Sequence, residues 1–299
     1  MFKRVLIIGN GSSGKKHFSA LKKIKKQLKV QRVSSRKFRG DILDQVKVFN
    51  PNYIIVCSPS TYHYNHLKII EEIFTGKLVL IEKPLFDKKR KVSKKLKNRY
   101  FINYNLRYHP VLQFIRKYIK NRKVYSVQSS CSTYLPNWRK INYTKSVSAQ
   151  KRLGGGVKLE LSHEIDYLLW IFEKIKINYS LNTKVSKLKI DTDDILILNC
   201  ITPKKTIINL TINFFSRIPN REIFIDGQNF SIRANILNNS ITLIEQKKTR
   251  IIKFKNFSIN ETYKLENLSI LNNDVKDICT FKEGNELINL ISKIKKNEN

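Results

Sequence analysis

Residues Val5-Leu6-Ile7-Ile8-Gly9-Asn10-Gly11-Ser12-Ser13-Gly14 decide the fold. Four consecutive apolar residues read as a short strand buried on both faces, and the strand candidate runs Arg4–Ile8. A G-x-G-x-x-G pattern follows at once and opens a helical pattern over Lys16–Leu28. The first glycine permits a tight turn, the second lets backbone amides approach a pyrophosphate, and the third allows close strand–helix packing. The helix N-terminus adds partial positive charge. A second strand, Val30–Ser34, begins about twenty residues on, the spacing of a βαβ unit. Gly9, Asn10, Gly11, Ser12, Ser13 and Gly14 are therefore read as the phosphate-binding turn of a dinucleotide site.

Outward from that unit the alternation continues. Tyr53–Cys57, Leu78–Ile81 and Tyr100–Asn103 read as strands, and His63–Phe74 as a helix with Leu67, Ile70, Ile73 and Phe74 at helical spacing. Strands alternating with helices predict an α/β doubly wound parallel sheet, a Rossmann domain over residues 1–104. Beyond it the pattern changes. Helices are expected at Pro110–Ile119, Leu161–Phe172 and Lys282–Lys296, and a strand near Tyr125–Thr133. Strand-like runs follow at Lys184–Lys189, Asp194–Cys200, Thr206–Phe215, Glu222–Asp226, Phe230–Ala234, Ser240–Glu245 and Thr249–Phe254. Residues 105–299 thus read as an α+β domain with a large, mostly antiparallel sheet.

The end of the second strand selects the cofactor. An NAD site carries a carboxylate there for the ribose diol. This chain has Ser35-Arg36-Lys37, and its next carboxylate is Asp41. A hydroxyl and two cations suit a 2′-phosphate, which a guanidinium grips through two hydrogen bonds. The expectation is NADP(H), with NAD(H) as the alternative.

Further motifs stand in order along the chain: Cys57-Ser58-Pro59-Ser60-Thr61-Tyr62-His63, Glu82-Lys83-Pro84, Asn105-Leu106-Arg107-Tyr108-His109-Pro110, and Gly154-Gly155-Gly156 followed by Glu160, His163 and Asp166. Together they resemble the glucose–fructose oxidoreductase / inositol dehydrogenase / MocA family over essentially the whole chain, including a closing helix near Glu283-Gly284. The resemblance implies cofactor contacts from Ser58, Pro59, His63, Glu82 and Lys83, a start of the second domain at Arg107, and hydride transfer to or from a sugar-like substrate. In one respect the chain departs from the pattern. The family commonly has aspartate four residues before the histidine, where this chain has Glu160 three before His163.

The residues themselves support the acid–base roles. Lys83 leaves the apolar strand Leu78–Ile81, and an amine stripped of water suits proton transfer. Glu160 and His163 fall on one helical face, where a carboxylate orients an imidazole. The resemblance implies that His163 exchanges the substrate hydroxyl proton, or binds that hydroxyl while Lys83 does so. Between Thr133 and Arg152 the chain lacks periodicity, as functional loops do. Tyr134, Trp138 and Tyr143 suit sugar rings there, and Arg139 an acidic group; with Arg107 they form the expected substrate set. The stretch looks like relatives that act on nucleotide-linked or acidic sugars of surface-glycan synthesis.

Composition sets the outer bounds. Hydrophobic content of 41% and aromatic content of 10% exclude a disordered chain. No run approaches the roughly 18 to 20 apolar residues of a membrane span. Cys57, Cys131, Cys200 and Cys279 are widely separated and predict reduced thiols, a cytoplasmic location and no metal site. The net charge of +35 is dispersed along the chain without a nucleic-acid motif, so no specific nucleic-acid partner is expected. A sheet with one uncovered face points to a homodimer or homotetramer. The rival readings are a non-catalytic dinucleotide-binding regulator, against which Lys83 speaks, and a dinucleotide-dependent glycosidase.

Overall fold

The computed structural model describes residues 3–24, 27–92, 95–138 and 142–294, and the side chain of Lys37 lies outside that description. The first segment runs β1 (Lys3–Ile8), α1 (Ser12–Lys22), β2 (Leu28–Val33), α2 (Asp41–Phe49), β3 (Tyr53–Val56), α3 (Ser60–Ile73), β4 (Leu78–Glu82) and β5 (Arg99–Asn103). There follow α4 (Pro110–Ile119), β6 (Val124–Tyr134), α5 (Val157–Glu160), α6 (His163–Phe172), β7 (Lys176–Thr183), β8 (Ile195–Ile201), β9 (Ile207–Asn213), β10 (Phe215–Gly227), β11 (Phe230–Asn235), β12 (Ser240–Glu245) and β13 (Lys248–Lys253). The chain closes with α7 (Ile259–Asn272), β14 (Cys279–Thr280) and α8 (Phe281–Ser292).

These elements form two compact units. One comprises residues 1–108 and 258–289, the other residues 109–257 and 290–299. The single boundary expected at 104 is corrected here, because the chain returns to its first unit after β13. The first unit's sheet has the order β14-β5-β4-β3-β1-β2, parallel except for β14 against β5. Val5 pairs with Val30 on one side and Tyr53 on the other, so strand order reverses across β1. That reversal is a topological switch point, and the carboxyl ends of β1 and β3 flank it. Val5, Ile7, Tyr53, Ile55, Leu80 and Phe101 pack with Leu21 of α1 and with Ile270 and Leu271 of α7. Burial on both faces explains why β1, β3, β4 and β5 read as continuous apolar runs.

The second unit's eight-stranded sheet has the order β13-β12-β11-β10-β6-β9-β8-β7, antiparallel except for the pair β6–β9. Its strands alternate buried and partly exposed residues, as in β8, so one face is covered. Two expectations needed correction. The strand predicted at Lys184–Lys189 is a loop, and the sheet uses Lys176–Thr183 instead. Asp194 holds the loop by accepting from the amides of Val185 and Ser186 at 2.9 and 3.0 Å. The helix predicted from Leu161 starts two residues later, at His163, and a separate short helix α5 ends at Glu160 before it. Helices α2 and α7 had no counterpart in the sequence reading.

Candidate functional site

The glycine turn sits at the switch point. Gly9 has φ +132°, and a Cβ there would lie 2.6 Å from the Cys57 carbonyl oxygen, so β1 and β3 approach too closely for any side chain. The turn is tied on both sides, by Gly9 N–H to Val33 O and by Cys57 N–H to Ile8 O, each at 2.8 Å. Gly11 differs. It is the N-cap of α1 with no side-chain cap, and a Cβ there would meet no protein atom within 4 Å. The first amides of α1 thus lie behind a residue whose missing side chain the protein itself does not require. This cradle fits a pyrophosphate, which Gly11, Ser12 and Ser13 would hold through backbone N–H groups. Ser60 Oγ, at the start of α3, is buried with no hydrogen-bond partner among the described residues, a further polar group left for a ligand.

Two histidines one helical turn apart organise the loop after β3. His63 is fully buried; its Nδ1 faces the carbonyls of Pro84 and Leu85 at 3.0 and 3.1 Å, and its Nε2 faces Ser58 O at 2.8 Å. Burial lowers its pKa, and the three carbonyls offset part of that shift. As a neutral ring His63 has one N–H to give, so it donates to the carbonyls on one side only, while lying between the Ser58-Pro59 loop and the Lys83-Pro84 loop. His66 accepts from Ser58 Oγ at Nδ1, 2.9 Å away, and faces Ser35 O with Nε2 at 3.3 Å. Burial brings its pKa down to about 4. Ser58 therefore spends its hydroxyl on His66. Arg36 is exposed in a short 3₁₀ turn, Ser35–Lys37, at the end of β2.

Glu82 ends β4 in a buried polar network. Its Oε1 accepts from Asn103 Nδ2 at 2.8 Å and lies 3.2 Å from His17 Nε2. Asn267 of α7 donates from Nδ2 to Tyr263 O at 2.7 Å and to His17 Nδ1 at 3.0 Å, while its Oδ1 accepts from Tyr53 OH at 2.9 Å. A carbonyl only accepts, so the amide orientation is fixed, and His17 carries its proton on Nε2, pointed at Glu82. Burial alone would raise the Glu82 pKa. The His17 hydrogen bond and the charge of Lys83 outweigh it and hold the carboxyl below its ordinary range. His17, Cys57 and Glu82 could in principle gather a metal. The His17 proton already bonded to Glu82, and the Cys57 thiol pushed upward in pKa by burial, both oppose that. Glu82 is thus buried, with His17 and Asn103 on its Oε1. Lys83 follows it, half-buried.

In the second unit, Glu160 and His163 flank the break between α5 and α6, so they do not share one continuous helix. Glu160 Oε2 accepts from Ser148 Oγ at 2.6 Å. Ser148 also lines a shallow hollow with Leu135, Trp138, Tyr143 and Ser146, which brings two of the predicted aromatics and Glu160 into one neighbourhood. Trp138 donates to Thr133 Oγ1 at 2.6 Å and meets Phe214 edge-on at 5.2 Å. The Tyr143 hydroxyl accepts from the Lys189 amide at 3.0 Å, and Tyr134 lies under the Arg217 guanidinium at 4.5 Å. Arg139 lies outside the described residues. Arg107 is corrected as a substrate contact: it is 2% exposed and donates to Glu283 Oε1 at 2.8 Å within the first unit. The sequence reading missed Asp193, which backs the triple glycine. Its Oδ2 accepts from Lys158 N at 3.1 Å, and its Oδ1 would lie 2.5 Å from a Cβ at Gly156.

Residues 3–99 match a family model described as "Oxidoreductase family, NAD-binding Rossmann fold", GFO_IDH_MocA. The N-terminal domain belongs to the Gfo/Idh/MocA oxidoreductase family. No curated protein matches the chain by sequence. Among solved structures, levoglucosan dehydrogenase in complex with NADH is similar over 98% of this chain and 96% of its own, at 15% identity and a TM-score of 0.82. UDP-N-acetylglucosamine 3-dehydrogenase GnnA from Acidithiobacillus ferrooxidans covers 98% and 97%, at 14% identity and a TM-score of 0.77. WlbA dehydrogenase from Bordetella pertussis, in complex with NADH and UDP-GlcNAcA, covers 98% and 95%, at 17% identity and a TM-score of 0.75. Residues 3–99 thus form the Rossmann-type domain of this family. Among the described residues, no helix is long and apolar enough to cross a membrane.

Proposed function

We propose that this Gfo/Idh/MocA protein is a dehydrogenase or reductase that uses NADP(H) to interconvert a hydroxyl and a carbonyl on a nucleotide-linked or acidic sugar. The observation that carries the dinucleotide reading is Gly11, whose side-chain space no protein atom needs. The cofactor preference rests on Ser35 and Arg36 at the end of β2, with Lys37 beside them in sequence and no carboxylate before Asp41. A bound nicotinamide supplies the hydride chemistry. The protein's part is binding, orientation and proton handling. Lys83, flanked by the anionic Glu82, carries the proton transfer in the first unit. His163 is the second acid–base candidate, with Glu160 held by Ser148 beside it. Trp138 and Tyr143 offer aromatic surface for a sugar ring, and the net charge of +35 draws in anionic substrates. Four free cysteines fit a reducing, cytoplasmic setting.

Fluorescence titration with NADPH and NADH, followed by turnover assays on a panel of nucleotide sugars, tests this reading. NADPH should bind more tightly, and Arg36→Ala should remove that preference. Lys83→Ala should lower kcat by roughly 100-fold or more. Tighter binding of NADH, or full turnover by the Lys83 variant, overturns the respective assignment.

A further inference from the structure

We infer that His66 sets the cofactor preference by tying the turn that carries Arg36 to the loop that carries Ser58. This rests on the NADP(H) reading of that turn and adds a positioning residue to it. His66 lies on α3 and is 4% exposed. Ser35 presents a backbone carbonyl to Nε2, and a carbonyl can only accept, so the ring proton sits on Nε2. Nδ1 then has a lone pair free for the Ser58 hydroxyl, which donates to it at 2.9 Å. One neutral imidazole thereby bridges the loops at the ends of β2 and β3 in a single tautomer.

The ring itself is clamped. Tyr62 stacks on it at 6.3 Å with planes 23° apart, and Phe38 meets it edge-on at 5.6 Å and 88°. Phe38 is buried and directly follows the 3₁₀ turn. The turn is therefore held by His66 at both ends, through the Ser35 carbonyl and the Phe38 ring, with Arg36 exposed between the two anchors. His63, one turn earlier on α3, packs between the Ser58 carbonyl and the carbonyls of Pro84 and Leu85. A guanidinium on a fixed turn loses less entropy when it grips a phosphate than one on a loose turn. Only NADPH presents a 2′-phosphate to such a turn, so loosening it weakens NADPH more than NADH.

The test measures dissociation constants for both cofactors, by fluorescence, in the full-length wild type, Arg36→Ala, His66→Leu and His66→Gln. It adds amide hydrogen exchange at residues 36–38 without cofactor. His66→Leu should shrink the NADPH-over-NADH preference by roughly three- to tenfold, the range set by one hydrogen bond. His66→Gln, which keeps an N–H for the Ser35 carbonyl, should restore most of it, a rescue that a generally destabilised fold would not show. Exchange at 36–38 should quicken in His66→Leu alone. If Arg36→Ala loses the preference and His66→Leu keeps it, the role of His66 is wrong while the NADP(H) reading stands. If the wild type shows no preference for NADPH, the Arg36 reading fails, and unchanged exchange in His66→Leu would sink the bridge as well. Should His66→Leu fail to fold, Ser58→Ala cuts the same bridge at its other end and is read by the same exchange.

Discussion

The molecule contains two glycine-rich turns, and they need their glycines for different reasons. In the second unit, Gly154-Gly155-Gly156 is accounted for by the unit's own packing: Gly156 has φ +109° and lies against the Asp193 carboxylate, and Gly155 lies against the carbonyl of Ser148. In the first unit, Gly9 is equally constrained, by φ +132° and the Cys57 carbonyl, but Gly11 is not. A glycine that the protein does not need for its own packing marks a surface kept clear for something else. The same letter in the sequence is thus a structural requirement in one turn and, at one position of the other, a residue whose side-chain space no protein atom fills.

The largest effects come from the constrained positions. Gly9→Ala and Gly156→Ala each force an L side chain into positive φ and against a fixed oxygen, and each should cost about 3 kcal/mol or more in urea unfolding. The two differ in how they can be rescued. Gly156 meets a side chain, so adding Asp193→Ala should return part of the loss, although that change also strips the Lys158 amide of its acceptor. Gly9 meets backbone, and no truncation relieves it. Equal behaviour of the two positions, with no coupling between Gly156→Ala and Asp193→Ala, would break the distinction.

The same contrast governs what could be read from sequence. The strands β1, β3, β4 and β5 are legible because burial on both faces leaves unbroken apolar runs, and the glycine turn because its glycines stand directly between strand and helix. Helix α7 is not, since its buried face carries Glu266 together with Thr262, Asn267 and Ser269, the last three bonded to Asn105, His17 and Tyr108, and these polar groups erase apolar periodicity. The displaced β7 has a related cause. Residues 184–189 place Val185 and Leu188 three apart, off a strand's period of two, and the Asp194 carboxylate accepts from the amides of Val185 and Ser186. At the site, His63-x-x-His66 just after a strand-end proline places both rings on one face of α3, a spacing that the motif around His63 alone does not use. Arg107 misled in the opposite direction, because a motif position does not reveal that Glu283, far along the chain, is its partner.

The two units share one vulnerability, to acid. Each buries a histidine whose pKa burial brings down to about 4, His66 in the first and His109 in the second. His109 accepts from the Val111 amide at Nδ1, capping α4, and donates from Nε2 to Asn239 Oδ1 at 3.0 Å. The sign follows from the reference value near 6.5: between that and about 4 the unfolded chain binds a proton that the folded one refuses. The stability His109 provides is therefore complete above about pH 6.5 and is lost as pH falls towards 4, about 2 kcal/mol of it by pH 5. Both tryptophans, Trp138 and Trp170, lie in the second unit, so their fluorescence reports its unfolding. His109→Asn, which preserves a capping side chain, should flatten the Trp-detected loss between pH 7 and pH 5 by about that amount. An unchanged slope would show that His109 is not the group that titrates.

The smallest change in stability should accompany a complete loss of binding, and it falls at Gly11. Its backbone has φ −73° and ψ −167°, an extended conformation open to any residue, and it caps α1, a position where threonine and glycine are about equally suited. Gly11→Thr should therefore leave the urea midpoint within about 0.5 kcal/mol of wild type. The added hydroxyl and methyl would stand over the first amides of α1, where a pyrophosphate must come within hydrogen-bonding distance, and NADPH and NADH should both bind at least about tenfold more weakly. Because the diphosphate is common to the two cofactors, the loss should be the same for each, unlike that of any change at the Arg36 turn. If Gly11→Thr bound both cofactors as the wild type does, the space beside Gly11 would be mere solvent, and the two glycine turns would no longer differ in kind.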